Sequence, residues 1–169
     1  MAQSVELLLD EQAERVIRHQ WGLLADAGLA KPPPVTVRPH ITLFAADALS
    51  QELEPALSRA VAGLDLELQL GALMIFGPRR GRVILVRQVT PSTALLRLQA
   101  QVAEICGADP AGQFGPGRWS PHVTLARRVL VDRVGDALTA LGPLADRSIL
   151  TRVTGCRRWD GRAQTAWLL

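Results

Sequence analysis

The chain has 169 residues, 48% of them hydrophobic and 21% charged, with a formal net charge of +3. That balance excludes a disordered chain, and a chain of this length buries roughly 70% of the surface its unfolded form exposes, so it needs no staple. No apolar run approaches the roughly 20 residues that span a bilayer, and "MAQSVELLLDEQAER" lacks the basic start and cleavage site of a signal peptide, so a soluble, cytoplasmic protein with no membrane partner is expected.

The first expected element is a strand in "SVELLLD", where Val5, Leu7 and Leu9 alternate with their neighbours and Leu8 breaks the pattern. Residues 10–28 place Ala13, Val16, Ile17, Trp21, Leu24 and Ala27 at helical steps, with Asp10 as N-cap and Gly28 as the stop. "AKPPP" is a stiff connector. "VTVRPHITLFA" is a strand that Pro39 starts or interrupts. Residues 47–62 form a helix that Pro55 kinks or splits. "LDLELQLGALMIFG" gives one or two strands, "PRRGR" a turn and "VILVRQV" another strand. "TPSTALLRLQAQVAEIC" has helical grammar, with Thr90 at the cap, Pro91 at the first position and Gly107 at the end. After the loop "ADPAGQFGPGR" come a strand in "WSPHVTLARRVL" and a helix in "DRVGDALTAL". Two closing strands, "RSILTRVTGCRRW" and "AQTAWLL", flank the turn "DGR".

Each half of this order holds two helices and one copy of a short motif, "PHITL" at Pro39 and "PHVTL" at Pro121. An internal duplication follows, with two lobes related by an approximate two-fold, helices on the outer faces and strands between them. The expected architecture is α+β and bilobal, one domain over residues 1–169.

Strand alternation puts His40 and Thr42 on one face and Ile41 and Leu43 on the other; His122 and Thr124 oppose Val123 and Leu125 in the same way. The apolar letters fill a core. The polar pairs can face one another across a groove. The third histidine, His19, lies on a polar helix face and reads as solvated. Two facing imidazoles suit a reaction that takes one proton and gives another near neutral pH. Two threonine hydroxyls suit the non-bridging oxygens of a phosphate. No carboxylate cluster has metal spacing and no glycine pattern marks a P-loop, so metal-free phosphoryl chemistry without ATP or another cofactor is expected. Cys106 and Cys156 have no partner at ligand spacing and read as reduced, buried thiols. Arginines cluster at 79, 80 and 82, at 127 and 128, and at 157, 158 and 162, which together suit a polyanion-binding face.

"RPHITLF" and "WSPHVTLARR" resemble the two motifs of the two-histidine (2H) phosphoesterase superfamily, and more narrowly its bacterial 2′-5′ RNA ligase or RNA 2′,3′-cyclic phosphodiesterase branch. The resemblance implies antiparallel sheets lining a central groove. It implies opening of a 2′,3′-cyclic phosphate to a 2′-phosphate, with reversible 2′-5′ joining of RNA ends as a further activity. The partners it implies are RNA ends or nucleotides bearing a cyclic phosphate, handled by a monomer. By analogy His122 is the base and His40 the acid, an order the pseudo-symmetry can reverse; Thr42 and Thr124 bind the phosphate with Arg127. Strand alternation alone turns Arg127 toward the core, so a bulge or a strand end is needed to bring it to the groove. The chain has no tyrosine. Base stacking would then fall to Phe44, Phe76, Phe114, Trp119 or Trp159, with Trp119 at the groove rim and with Phe76 and Trp167 in the core. Other readings are hydrolysis of small cyclic nucleotides, cyclic oligonucleotide signals or an ADP-ribose cyclic phosphate, and a nucleotide-binding module without turnover.

Overall fold

A computed structural model describes residues 3–169. The elements run β1 (Gln3–Leu9), α1 (Glu11–Asp26), β2 (His40–Ala46), α2 (Glu54–Val61), β3 (Glu67–Arg79), β4 (Arg82–Val89), α3 (Thr93–Ile105), β5 (His122–Leu130), α4 (Val134–Leu141), β6 (Ile149–Asp160) and β7 (Thr165–Leu168). This is one unit written twice, β1–α1–β2–α2–β3 and β4–α3–β5–α4–β6, with β7 appended.

All strand pairings are antiparallel, in the order β1-β2-β5-β4-β3-β6-β7, and β1 also pairs with β6, so the sheet closes on itself. One half is β2-β1-β6 and the other β5-β4-β3. They meet at the single pair Ile41–Val123 and where Glu67–Leu70 runs beside Ile149–Arg152. The two expected sheets are therefore halves of one. The helices exchange between the halves: α1 packs on β5 and α4, and α3 packs on β2 and α2. Each repeat thus covers the motif strand of the other.

Local chemistry fixes the elements. Asp10 Oδ1 accepts the Ala13 N–H at 2.9 Å and caps α1. Gly28, at φ +68°, closes that helix in the left-handed region, where other residues pay a steric cost. Pro55 lies in the first turn of α2 after a short 3-10 turn at Gln51–Leu53, so it splits the segment without costing a helical hydrogen bond. The expected cap of α3 is corrected. The Thr90 N–H is held by Gln69 O as a continuation of the sheet, and Ser92 takes the capping role, its Oγ accepting from Leu95 N at 3.1 Å.

The core holds Val5, Leu7, Leu9, Ile41, Leu43, Val123 and Leu125 from the sheet, packed against Ile17, Leu24, Leu95 and Val102. β1 is buried on both faces, so Leu8, on the Glu6 face, can be apolar and break the alternation. Arg87 is fully buried without a carboxylate. It donates to Gln20 Oε1, Gly71 O, Arg147 O and Leu144 O and so ties α1 to the turn after α4. Cys106 and Cys156 are free thiols, the first half-buried, and burial pushes them up to about 11 and about 12. No helix among the described residues is long and apolar enough to cross a membrane.

Candidate active site

Antiparallel counting from the Ile41–Val123 pair sets His40 opposite Thr124 and Thr42 opposite His122. Ile41 and Val123 are buried, whereas all four motif side chains are partly exposed, on the opposite face of the sheet. The exchange of helices tightens the arrangement from outside. The Trp21 indole of α1 donates to Thr124 O at 3.0 Å, and the Trp119 indole, from the loop before β5, donates to Thr42 O at 3.0 Å. Each motif threonine is thus anchored through its backbone by a tryptophan.

The two histidines are clamped alike. His40 Nδ1 lies 2.7 Å from Arg38 O, and His122 Nδ1 lies 2.7 Å from Ser120 O. A carbonyl oxygen can only accept, so Nδ1 carries the proton in both rings and Nε2 is left for chemistry. Their surroundings then differ. His40 Nε2 faces Glu6 Oε1 at 3.4 Å; Glu6 is buried and also bonded to Arg157 Nε at 2.9 Å and to Ser4 Oγ at 2.6 Å. The His122 ring meets the edge of Phe76, with centroids 4.8 Å apart. Burial holds its pKa below histidine's ordinary 6.5, helped by the positive charges of Arg127 and His40 and opposed by the Ser120 carbonyl.

Of the two devices that could turn Arg127 to the groove, a bulge or a strand end, the structure uses a bulge. Val86 pairs with Thr124 and Leu85 with Ala126, so Leu125 is the extra residue and the alternation flips beyond it. A second bulge follows at Arg128, where φ is +64°. A cleft of about 660 Å³ is lined by His40, Thr124, Arg127, Arg82, Arg128 and Lys31, with Trp21, Leu29, Pro33 and Val37 as its apolar wall. Thr42 and His122 share the sheet face but lie beyond this lining, across the Ile41–Val123 pair.

Several aromatic expectations are corrected. Phe44 is buried and packs against Phe114 at 5.2 Å, so neither side of its ring is open to a base. Phe76, expected in the core, stands half-exposed beside His122 instead, because β3 runs past the last core layer there. Trp167 is half-exposed under the Arg158 guanidinium. The third arginine cluster does not join a basic face. Arg157 and Arg158 are buried, paired with Glu6 and Glu54, and only Arg162 is exposed. His19 is exposed, in keeping with its polar helix face.

Glu6 had no assigned role in the sequence, although Ser4, Glu6 and Leu8 alternate against Val5, Leu7 and Leu9, which is the signal for a shared face. Among the described residues no three His, Cys, Asp or Glu side chains converge as a metal site would require.

The chain resembles solved structures along nearly its whole length. TT0787 of Thermus thermophilus is 19% identical, with 100% of this chain and 95% of that one covered and a TM-score of 0.60. E. coli LigT complexed with ATP is 18% identical, with 99% and 93% covered and a TM-score of 0.57. Usb1 of Kluyveromyces marxianus is 11% identical, with 99% and 97% covered and a TM-score of 0.56. A search of curated protein sequences finds no match. A family profile described as the 2′-5′ RNA ligase superfamily matches residues 10–159. That span contains both histidine motifs and all but the first and last strands, and the chain belongs to this superfamily of 2H phosphoesterases.

Proposed function

We propose that the protein opens the 2′,3′-cyclic phosphate of a nucleoside or RNA end to a 2′-phosphate, using His122 as base and His40 as acid and no metal ion. The observation that carries this reading is the matched pair of Nδ1 clamps, which leaves two Nε2 atoms on one face, one on each side of the strand junction. His122 Nε2 takes a proton from water, whose oxygen forms a bond to phosphorus. The bond from phosphorus to the 3′ oxygen breaks, and His40 Nε2 gives that oxygen its proton. The products are a 2′-phosphomonoester and a 3′ hydroxyl. Thr42, Thr124 and Arg127 donate to the non-bridging oxygens, where charge builds in the transition state.

The inequality of the two rings supports the order. A base must be neutral at rest, and burial and Arg127 favour the neutral form of His122. The acid must hold a proton on Nε2, and His40 Nε2 faces the Glu6 carboxylate at 3.4 Å. The acid limb of the kcat/KM profile therefore falls below pH 6.5, since the depressed His122 stays neutral to lower pH. Replacing Arg127 with Gln removes one cause of the depression and moves that limb upward. A limb above 6.5, unmoved in the variant, contradicts the order.

Product analysis tests the reaction itself. A 2′,3′-cyclic mononucleotide and a cyclic-phosphate-ended RNA, each incubated with protein in excess chelator, should yield 2′-phosphates alone. Accumulation of 3′-phosphates, or turnover that stops with chelator and returns with a divalent metal, overturns the proposal. Turnover of the mononucleotide but not of the RNA would redirect it to small cyclic nucleotides.

A further inference from the structure

We infer that the β3–β4 hairpin is a second binding element, which holds the backbone phosphates of an RNA strand whose cyclic-phosphate end sits in the active site. This rests on the proposed reaction and names its substrate class as a polynucleotide end.

The hairpin tip is basic and continuous with the cleft. Arg79, Arg80, Arg82 and Arg128 surround a groove of about 350 Å³, and Arg82 and Arg128 also line the active-site cleft. Arg82 Nη1 donates to Arg128 O at 2.9 Å, which locks the hairpin to the β5 bulge. All four side chains are exposed, and so is Arg127. Among the described residues none of the five forms an ion pair; Arg59, Arg87, Arg97, Arg118, Arg147 and Arg162 form none either, so what sets these five apart is their clustering. Five unneutralised guanidiniums on one edge exceed the net charge of the whole chain, +3. They form a track leading away from Thr124.

The backbone gives an independent indication. Arg79 pairs with Arg82 across a two-residue turn in which Arg80 has φ +52° and Gly81 has φ +70°. Such a turn favours Asn-Gly, and a long side chain at its first position is held at a steric cost. Arg128 is likewise left-handed. Of the three non-glycine residues with positive φ among those described, two are arginines of this groove. The fold tolerates strain at these two positions and presents guanidiniums there. A guanidinium fork matches phosphate oxygens, and successive forks match successive phosphates of one strand. A lone nucleotide would engage the cleft and leave the hairpin idle.

The test is binding, so that it does not depend on turnover. The probe is a fluorescein-labelled eight-nucleotide RNA ending in a 2′-phosphate, titrated by anisotropy against wild type and against the double variant Arg79→Gln/Arg80→Asn. Asparagine before Gly81 relieves the strain of the turn, and glutamine in place of Arg79 keeps a long polar side chain, so the melting temperature should not fall. The double variant should bind about tenfold more weakly at low salt, and its slope of log affinity against log salt should flatten by about 1.4, two contacts at about 0.7 each on a single strand. Unchanged affinity and slope in the double variant overturn the inference. Failure of the catalytic reading is seen separately, as absence of cyclic mononucleotide turnover by wild type.

Discussion

His40→Ala and His122→Ala should each lower kcat on a 2′,3′-cyclic mononucleotide by at least about a hundredfold, the range for a positioned proton-transfer group being about 10²–10⁴. Neither ring is a core residue; both are partly exposed, and their backbone neighbours Ile41 and Val123 carry the packing at the strand junction. Loss of activity should therefore come without loss of fold, which far-UV circular dichroism and the melting temperature check. His19→Ala is the control, since that ring is exposed on α1 and has no place near the motifs. Near-normal turnover in either motif variant would end the two-histidine account.

Glu6→Val should destabilise the fold by about 3–5 kcal/mol, because it leaves the Arg157 charge buried without its carboxylate. The side chains of the pair are 5% and 2% exposed, so solvent cannot replace the lost partner. The pseudo-symmetry supplies the rescue. Glu6 pairs across the sheet with Thr42 and Arg157; the corresponding positions beside Thr124 are Val86 and Met74. The other half thus builds the same layer from apolar residues. Glu6→Val/Arg157→Met should recover most of the lost stability, as apolar replacements of buried ion pairs commonly do. Chemical denaturation reads both values. A mild single variant, or a double variant worse than the single, would show that the pair does not hold this layer.

Much of this was legible in the chain. The duplicated motif, with His and Thr two residues apart, fixed which side chains share a face, because alternation is local. The need for a bulge or a strand end before Arg127 was also legible, since Leu125 and Arg127 cannot otherwise face opposite ways; which of the two was not. Other features depend on pairing between distant strands and were not. Nothing within "SVELLLD" says that Glu6 will lie opposite Thr42 and Arg157. Phe44 looks available beside its motif, but Phe114 from the loop before β5 closes over it. The arginines at 157 and 158 look like those at 79 and 80 as letters; burial beside Glu6 and Glu54 makes them structural. The exchange of α1 and α3 between the halves is a tertiary fact with no local signature.

The central claim is that two imidazoles act together on one phosphate, and the double variant His40→Ala/His122→Ala addresses it most directly. Groups that work as a unit are strongly non-additive, because losing one already forfeits what the other supplies. Single-turnover hydrolysis of the cyclic mononucleotide by the double variant should be within about threefold of the slower single variant. If the two defects multiply in full, the histidines contribute independently and the shared-phosphate account is wrong.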